Sequence, residues 1–141
     1  MIRLTRQYKF SASHRLHNDA LPEEENQRVY GKCNNPYGHG HDYVLQVVAH
    51  GSVDPNTGLL LNLDRLDEFV GRSLLSELRN RNLNDLDEFQ TVVPTTENLA
   101  LMAEQRLRAR WPETLPELVG VRILETARNS FESSRVRNER T

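Results

Sequence analysis

The chain has 141 residues, with 18 Lys and Arg against 20 Asp and Glu, a formal net charge of -2 and a single cysteine. That length suits one ordinary domain over 1–141 with a core of its own, and the charge balance excludes the broadly basic surface of a nucleic-acid protein while leaving enough cations to line a local anion site. No stretch approaches the ~20 apolar residues of a membrane span, the opening "MIRLTRQYKF" lacks a signal-peptide core, and one cysteine without an intrachain partner predicts the reducing cytoplasm.

Residues 2–16 alternate, with Ile2, Leu4, Tyr8, Phe10, Ala12, His14 and Leu16 on one face, so the stretch reads as a half-buried strand. A polar segment of 17–38 follows and reads as a long loop, its acidic "PEEENQ" (22–27) facing solvent. His41, Tyr43, Leu45, Val47 and Ala49 share a face of a second strand, which the turn "DPNTG" (54–58) ends. Asn62 or Asp64 can cap a helix whose apolar positions are Leu63, Leu66, Phe69, Val70, Leu74 and Leu78. A second helix starts in "PTTEN" (94–98), with Thr95 or Thr96 as N-cap and Glu97 in the first turn. Its buried stripe is Ala100, Ala103, Leu107 and Trp111, and Pro112 stops it.

"LVGVRILETA" (118–127) predicts a third strand with Val119, Val121 and Ile123 inward, and "SFESSRVR" (130–137) a weaker fourth. The arginine-rich "RVRNER" (135–140) reads as a solvated tail, and neither repeats nor low-complexity segments occur. The order ββααββ implies an α+β fold, a four-stranded antiparallel sheet with two helices on one face. Four strands cannot close a barrel alone, so the edge strands call for partners such as further copies in a ring.

His39 and His41 stand two apart on a strand and therefore point to one face. If the first two strands pair as antiparallel neighbours, His14 meets them at the rim of the sheet. Three imidazoles with a fourth position open make a catalytic zinc arrangement; the bland alternative is a polar loop that happens to contain histidines. His17 and His50 fit no such geometry and are expected on the surface. Cys33 follows Gly31 and Lys32 and precedes two asparagines. It is either a small buried hydrophobe or a reactive thiol whose ionised form the Lys32 ammonium favours. Glu125 interrupts the apolar face of the third strand, so it must be paired, for instance with Arg128, or must serve a ligand such as an amino-substituted heterocycle.

Taken together, "FSASHRLH", "GKCNNPYGHGHDY", "DPNTGLLLNL", "PTTEN" and the strand ending "ET" resemble, in order and over nearly the whole chain, the 6-pyruvoyltetrahydropterin synthase family. The resemblance implies the tunnelling fold, in which trimers close a twelve-stranded barrel and two trimers stack into a homohexamer. It implies Zn2+ on His14, His39 and His41, with Cys33 as the proton-transfer residue and Glu125 as the anchor of the pterin ring. Thr95, Thr96 and Glu97 match the segment that helps line the pterin pocket, often from a neighbouring subunit. The implied reaction converts 7,8-dihydroneopterin triphosphate to 6-pyruvoyltetrahydropterin with elimination of triphosphate. The related 6-carboxytetrahydropterin synthases, on the route to queuosine, use the same substrate and also release acetaldehyde. The chain departs from the pattern at one place. Where the family carries an Asp-His pair that assists the cysteine, this sequence has Arg79 and Asn80, and it has no histidine after His50. Arginine does not shuttle protons near neutral pH and asparagine does not titrate, so a zinc- and pterin-binding protein with impaired catalysis is a further reading.

Overall fold

The computed structural model describes residues 1–135. Its strands and helices follow in the order β1 (Ile2–His14), α1 (Glu23–Tyr30), β2 (His39–Gly51), α2 (Leu63–Val70), α3 (Ser76–Leu78), β3 (Arg81–Asn82), α4 (Thr96–Arg110), β4 (Glu117–Thr126) and β5 (Asn129–Ser134). The sheet order is β3-β1-β2-β4-β5. The four long strands pair antiparallel, as their alternation predicts. The predicted four-stranded sheet gains a fifth member, because β3 runs parallel to β1 beside Ala12 and Ser13. That short strand exists because Asn80 takes a left-handed turn at φ 56 and its N–H donates to the Ser11 carbonyl at 2.7 Å. Asparagine adopts this conformation more readily than most side chains.

β1 and β2 are in register along their whole length, from Ile2 against Gly51 to His14 against His39. Their alternation buries Phe10, Ala12, Tyr43, Leu45 and Val47 against the helices, where Leu66, Phe69, Val70, Leu74, Leu75, Leu78, Leu99, Ala103 and Leu107 close the core. Arg6 also falls on this face. Its guanidinium grips Asp67 of α2 through Nε (3.0 Å) and Nη2 (2.8 Å), and the Tyr8 hydroxyl donates to the same carboxylate at 2.7 Å. Asn62 caps α2, its side-chain oxygen accepting from the Arg65 N–H at 3.2 Å. Leu63, expected inside, is 40% exposed at the helix start. A π-helical turn over Gly71–Leu75 joins α2 to α3. The wider turn lets consecutive Leu74 and Leu75 both be buried, which a regular stripe does not predict.

The segment 17–38 is not a plain loop. α1 carries Glu23, Glu24 and Glu25 in its first turn, where the helix dipole favours them, and Gly31–Asn34 forms a 3-10 turn. No apolar stripe announces α1, because buried Asn26 anchors it by donating to the carbonyls of Asn18 (3.0 Å) and Leu21 (3.2 Å). α4 has Thr95 as N-cap, with Oγ1 accepting from the Asn98 N–H at 3.1 Å. Trp111 lies at its C-cap, half-buried, with Nε1 donating to the Pro116 carbonyl at 2.8 Å, while Leu99 and Met102 complete the buried stripe.

In β4 the register slips between Val48 and Ala49, leaving Val119 as a bulged residue. Leu118, rather than the expected Val119, is therefore the buried side chain there. Arg108 of α4 holds the bulge, donating to the carbonyls of Leu118 (2.9 Å) and Val119 (2.8 Å). Beyond it Val121, Ile123 and Glu125 face the interior side of the sheet as predicted. The predicted fourth strand ends at Ser134, and 136–140 of the predicted tail lie outside the described residues. Among the described residues no helix is long and apolar enough to cross a membrane.

Candidate functional site

Antiparallel pairing places His14, the last residue of β1, directly across from His39, the first of β2. His41 follows on the same face. The ring centroids lie 5.3 Å (His14–His39), 5.0 Å (His14–His41) and 4.6 Å (His39–His41) apart, so all three predicted imidazoles converge at one rim of the sheet. Gly38 makes this approach possible. Its φ is 67°, and a Cβ there would lie 2.8 Å from the His14 carbonyl oxygen.

His14 is 1% exposed. Its Nδ1 lies 2.9 Å from the carbonyl oxygen of Pro94 and 3.4 Å from the Tyr43 hydroxyl. A carbonyl only accepts, so Nδ1 carries the proton and Nε2 presents a lone pair. That Nε2 is buried and meets no donor. A buried acceptor left this way costs free energy, and a cation is the partner that its setting of further nitrogens supplies room for. His41 Nε2 lies 2.9 Å from His39 Nε2, so the rings aim these nitrogens at the same small volume. Burial holds the His14 and His39 pKa values below the ordinary histidine value, which keeps both rings neutral and able to ligate.

Two more predicted residues join the cluster. Cys33 Sγ lies 3.3 Å from His39 Nε2, and Glu125 Oε1 lies 3.1 Å from His41 Nε2. The ligand atoms of His14, Cys33 and His39, and those of His14, His41 and Glu125, all fall within 4.8 Å of one another in each trio. Nitrogen, thiol and carboxylate donors of this kind suit a divalent transition metal. Glu125 does not pair with Arg128, whose backbone N–H bonds Thr126 Oγ1 at 3.1 Å instead.

Cys33 is set by its backbone. Its carbonyl accepts from the Leu16 N–H at 2.7 Å, and Asn34 Nδ2 donates to the Leu16 carbonyl at 2.8 Å, so the 3-10 turn is pinned to the end of β1. Its pKa departs from expectation. Burial pushes the thiol up, and the Glu125 carboxylate adds to this. Lys32 is exposed and does not reverse the shift. A cation held by the histidines would act in the opposite sense.

The remaining predicted residues divide. Thr96 is buried near the Tyr43 hydroxyl, which in turn lies 3.4 Å from His14 Nδ1. Thr95 caps α4 and Glu97 is exposed, so neither joins the histidines within this chain. The segment reaches the site through the Pro94 carbonyl, which residue type alone does not signal. Arg79 and Asn80 lie at a groove on the opposite face of the sheet, lined also by Lys9, Ser11 and Asp42. Arg79 therefore does not act on Cys33 within one chain. His17 and His50 stay outside the cluster. His17 Nε2 meets Asp19 at 3.1 Å and His50 Nε2 meets Glu117 at 2.8 Å.

The family model described as 6-pyruvoyl tetrahydropterin synthase matches residues 3–135. Among curated proteins, the 6-pyruvoyl tetrahydrobiopterin synthase of Poecilia reticulata is 45% identical over 127 residues, covering 89% of this chain and 85% of that protein. The human protein of the same name is 41% identical, with 89% and 86% covered. Among solved structures, the Caenorhabditis elegans 6-pyruvoyl tetrahydropterin synthase superposes with a TM-score of 0.85 at 36% identity over 96% of both chains. A match across almost the whole described chain, to relatives covered almost end to end, shows that this protein belongs to the 6-pyruvoyl tetrahydropterin synthase family.

Proposed function

We propose that this chain is a zinc-dependent lyase that converts 7,8-dihydroneopterin triphosphate to 6-pyruvoyltetrahydropterin with elimination of triphosphate. The observation that carries the reading is the buried, unpartnered Nε2 of His14 beside His39, His41, Cys33 and Glu125. His14, His39 and His41 would hold Zn2+. When bound, the ion supplies Lewis acidity that lowers the pKa of carbons bearing the substrate's side-chain hydroxyls.

The chain's own groups then divide the work along the line of contacts. Glu125, at the His41 side, accepts hydrogen bonds from the amino-substituted ring and orients it. Cys33, at the His39 side, takes a proton from the side chain as thiolate and returns one as thiol. Tyr43 packs against His14, and the Pro94 carbonyl fixes its tautomer. Thr95 and Glu97, unattached to the site of their own chain, are assigned to lining the pterin pocket of a neighbouring copy. This fits assembly into trimers that stack as a homohexamer, because among the described residues the sheet ends in unpaired edges at β5 and beside β1.

Incubation with 7,8-dihydroneopterin triphosphate followed by product identification tests the reading. The expected products are triphosphate and 6-pyruvoyltetrahydropterin, with turnover abolished by Cys33→Ala while zinc content is retained. Release of acetaldehyde assigns the carboxytetrahydropterin reaction instead. Arg79 and Asn80 favour a second reading, a zinc- and pterin-binding protein, and tight pterin binding without product would decide for it.

A further inference from the structure

A cavity of about 630 Å³ opens beside the histidine cluster. His39 belongs to both, and Arg15, Lys32, Asn34 and Asn35 also line the cavity, together with Glu23 and Gln27 of α1. The cation Arg15 is fixed here. Its N–H donates to Asn84 Oδ1 at 2.7 Å, and Asn84 Nδ2 donates to its carbonyl at 2.9 Å. Its Nε donates to the Asn34 carbonyl at 3.3 Å, which leaves the terminal guanidinium nitrogens for the cavity. Among the described residues, neither Arg15 nor Lys32 forms an ion pair with a carboxylate; those bridges use Arg6, Arg28, Arg72, Arg106, Arg108, Arg110 and Arg122. Two cations without an ion-pair partner among the described residues, one of them held by its backbone and Nε, therefore face one cavity, whose wall also carries the Glu23 carboxylate.

The order of groups gives this cavity a direction. Glu125 touches His41, His41 touches His39, His39 touches Cys33, and His39 borders the cavity of Arg15 and Lys32. A ligand whose ring lies at Glu125 and whose side chain passes the histidines and Cys33 reaches this cavity with its far end. We infer that Arg15 and Lys32 seat the polyphosphate end of the substrate and receive it as the leaving group.

This rests on the lyase reading above and names the residues that read the substrate's charged end. As the proton leaves carbon, its electron pair forms a carbon–carbon double bond. The neighbouring carbon–oxygen bond breaks, and the bonding pair departs on the phosphate oxygen. Cations placed where that charge develops stabilise the transition state as well as the bound substrate.

A second basic cavity, lined by Arg65, Arg72 and Arg110, provides the comparison. There Arg72 faces Glu68 and Arg110 faces Glu77, each at 3.7 Å, and no residue of the histidine cluster lines it.

Calorimetric titration with inorganic tripolyphosphate at physiological salt tests the seat directly, on zinc-loaded protein. Arg15→Gln and Lys32→Gln should each weaken binding about tenfold, and Arg65→Gln should leave it unchanged. The KM for 7,8-dihydroneopterin triphosphate should rise in the same two variants, while affinity for unphosphorylated 7,8-dihydroneopterin and zinc content stay the same. Lys32 is exposed, so its replacement carries the test even if Arg15→Gln disturbs folding. Wild-type protein that does not bind tripolyphosphate, or variants that bind it as wild type does, would overturn the inference. Equal weakening of the phosphorylated and unphosphorylated pterins would overturn it too. If the tripolyphosphate pattern holds but the parent protein makes no product from the pterin triphosphate, the lyase reading fails and the anion seat stands.

Discussion

Replacing His14 by Phe separates a metal ligand from a histidine that merely fills the core. The ring is 1% exposed, Nδ1 bonds the Pro94 carbonyl at 2.9 Å, and Nε2 has no partner. Phe keeps a flat ring but is somewhat larger, which adds about 1 kcal/mol of overpacking in a filled site. It removes an unsatisfied buried acceptor, a gain of about 1–3 kcal/mol, and it loses the Nδ1 bond and leaves the carbonyl unpaired, a cost of similar size. In metal-free protein the variant should therefore lie within about 3 kcal/mol of the parent. Zinc should separate them. At free zinc a thousandfold above its dissociation constant, the parent gains about 4 kcal/mol. For 141 residues, with an unfolding entropy of about 2.1 cal/mol/K per residue, this is a rise in Tm of roughly 14 °C. Differential scanning calorimetry with chelator and with zinc reads both numbers. If metal-free His14→Phe loses well over 3 kcal/mol, or if zinc raises its Tm as much as the parent's, His14 is a structural residue and the reasoning fails.

Glu125→Gln should weaken 7,8-dihydroneopterin binding roughly ten- to hundredfold in a fluorescence titration, as expected for losing hydrogen bonds to a charged group, with zinc content unchanged. An unchanged dissociation constant would return Glu125 to a purely structural contact with His41. Restoring the family's proton relay by Arg79→Asp with Asn80→His should raise the elimination rate, since such assistance is commonly worth ~10²–10⁴, and Cys33→Ala should cancel the gain. Because both positions lie on the sheet face away from Cys33, the gain should appear only in assembled protein and vanish when dilution gives monomers. On the acid side, Arg6 and then Tyr8 hold the Asp67 carboxyl below its ordinary value, so the unfolded chain binds this proton more readily than the folded one. Asp67 therefore stabilises the fold above about pH 4 and stops doing so as pH falls through its lowered folded value. Urea unfolding across that range should show a shallower acid loss for Asp67→Asn than for the parent.

The strands that carry the site were legible because period two is a local property. Alternation through Phe10, Ala12 and His14, and again through His39, His41 and Tyr43, assigns these side chains to a face before any pairing is known. Antiparallel pairing of two such strands then leaves few places for the histidines other than one rim, so the cluster followed from sequence with little help from the core. The caps at Asn62 and Thr95 were readable for the same reason: each concerns groups within one turn.

What needed the tertiary structure depends on partners far apart along the chain. α1 has no apolar stripe and is held by Asn26, whose role appears only once Asn18 and Leu21 present their carbonyls. β3 forms because the end of α3 meets Ser11, and the bulge at Val119 forms where Arg108 reaches across from α4. Neither leaves a periodic trace. The thiol of Cys33 shows the same division. Its neighbour in sequence is the Lys32 ammonium, which argues for a thiolate. Its neighbours in space are buried surroundings and the Glu125 carboxylate, which argue for a thiol. Electrostatic energy depends on distance and on the surrounding dielectric, and sequence separation measures neither.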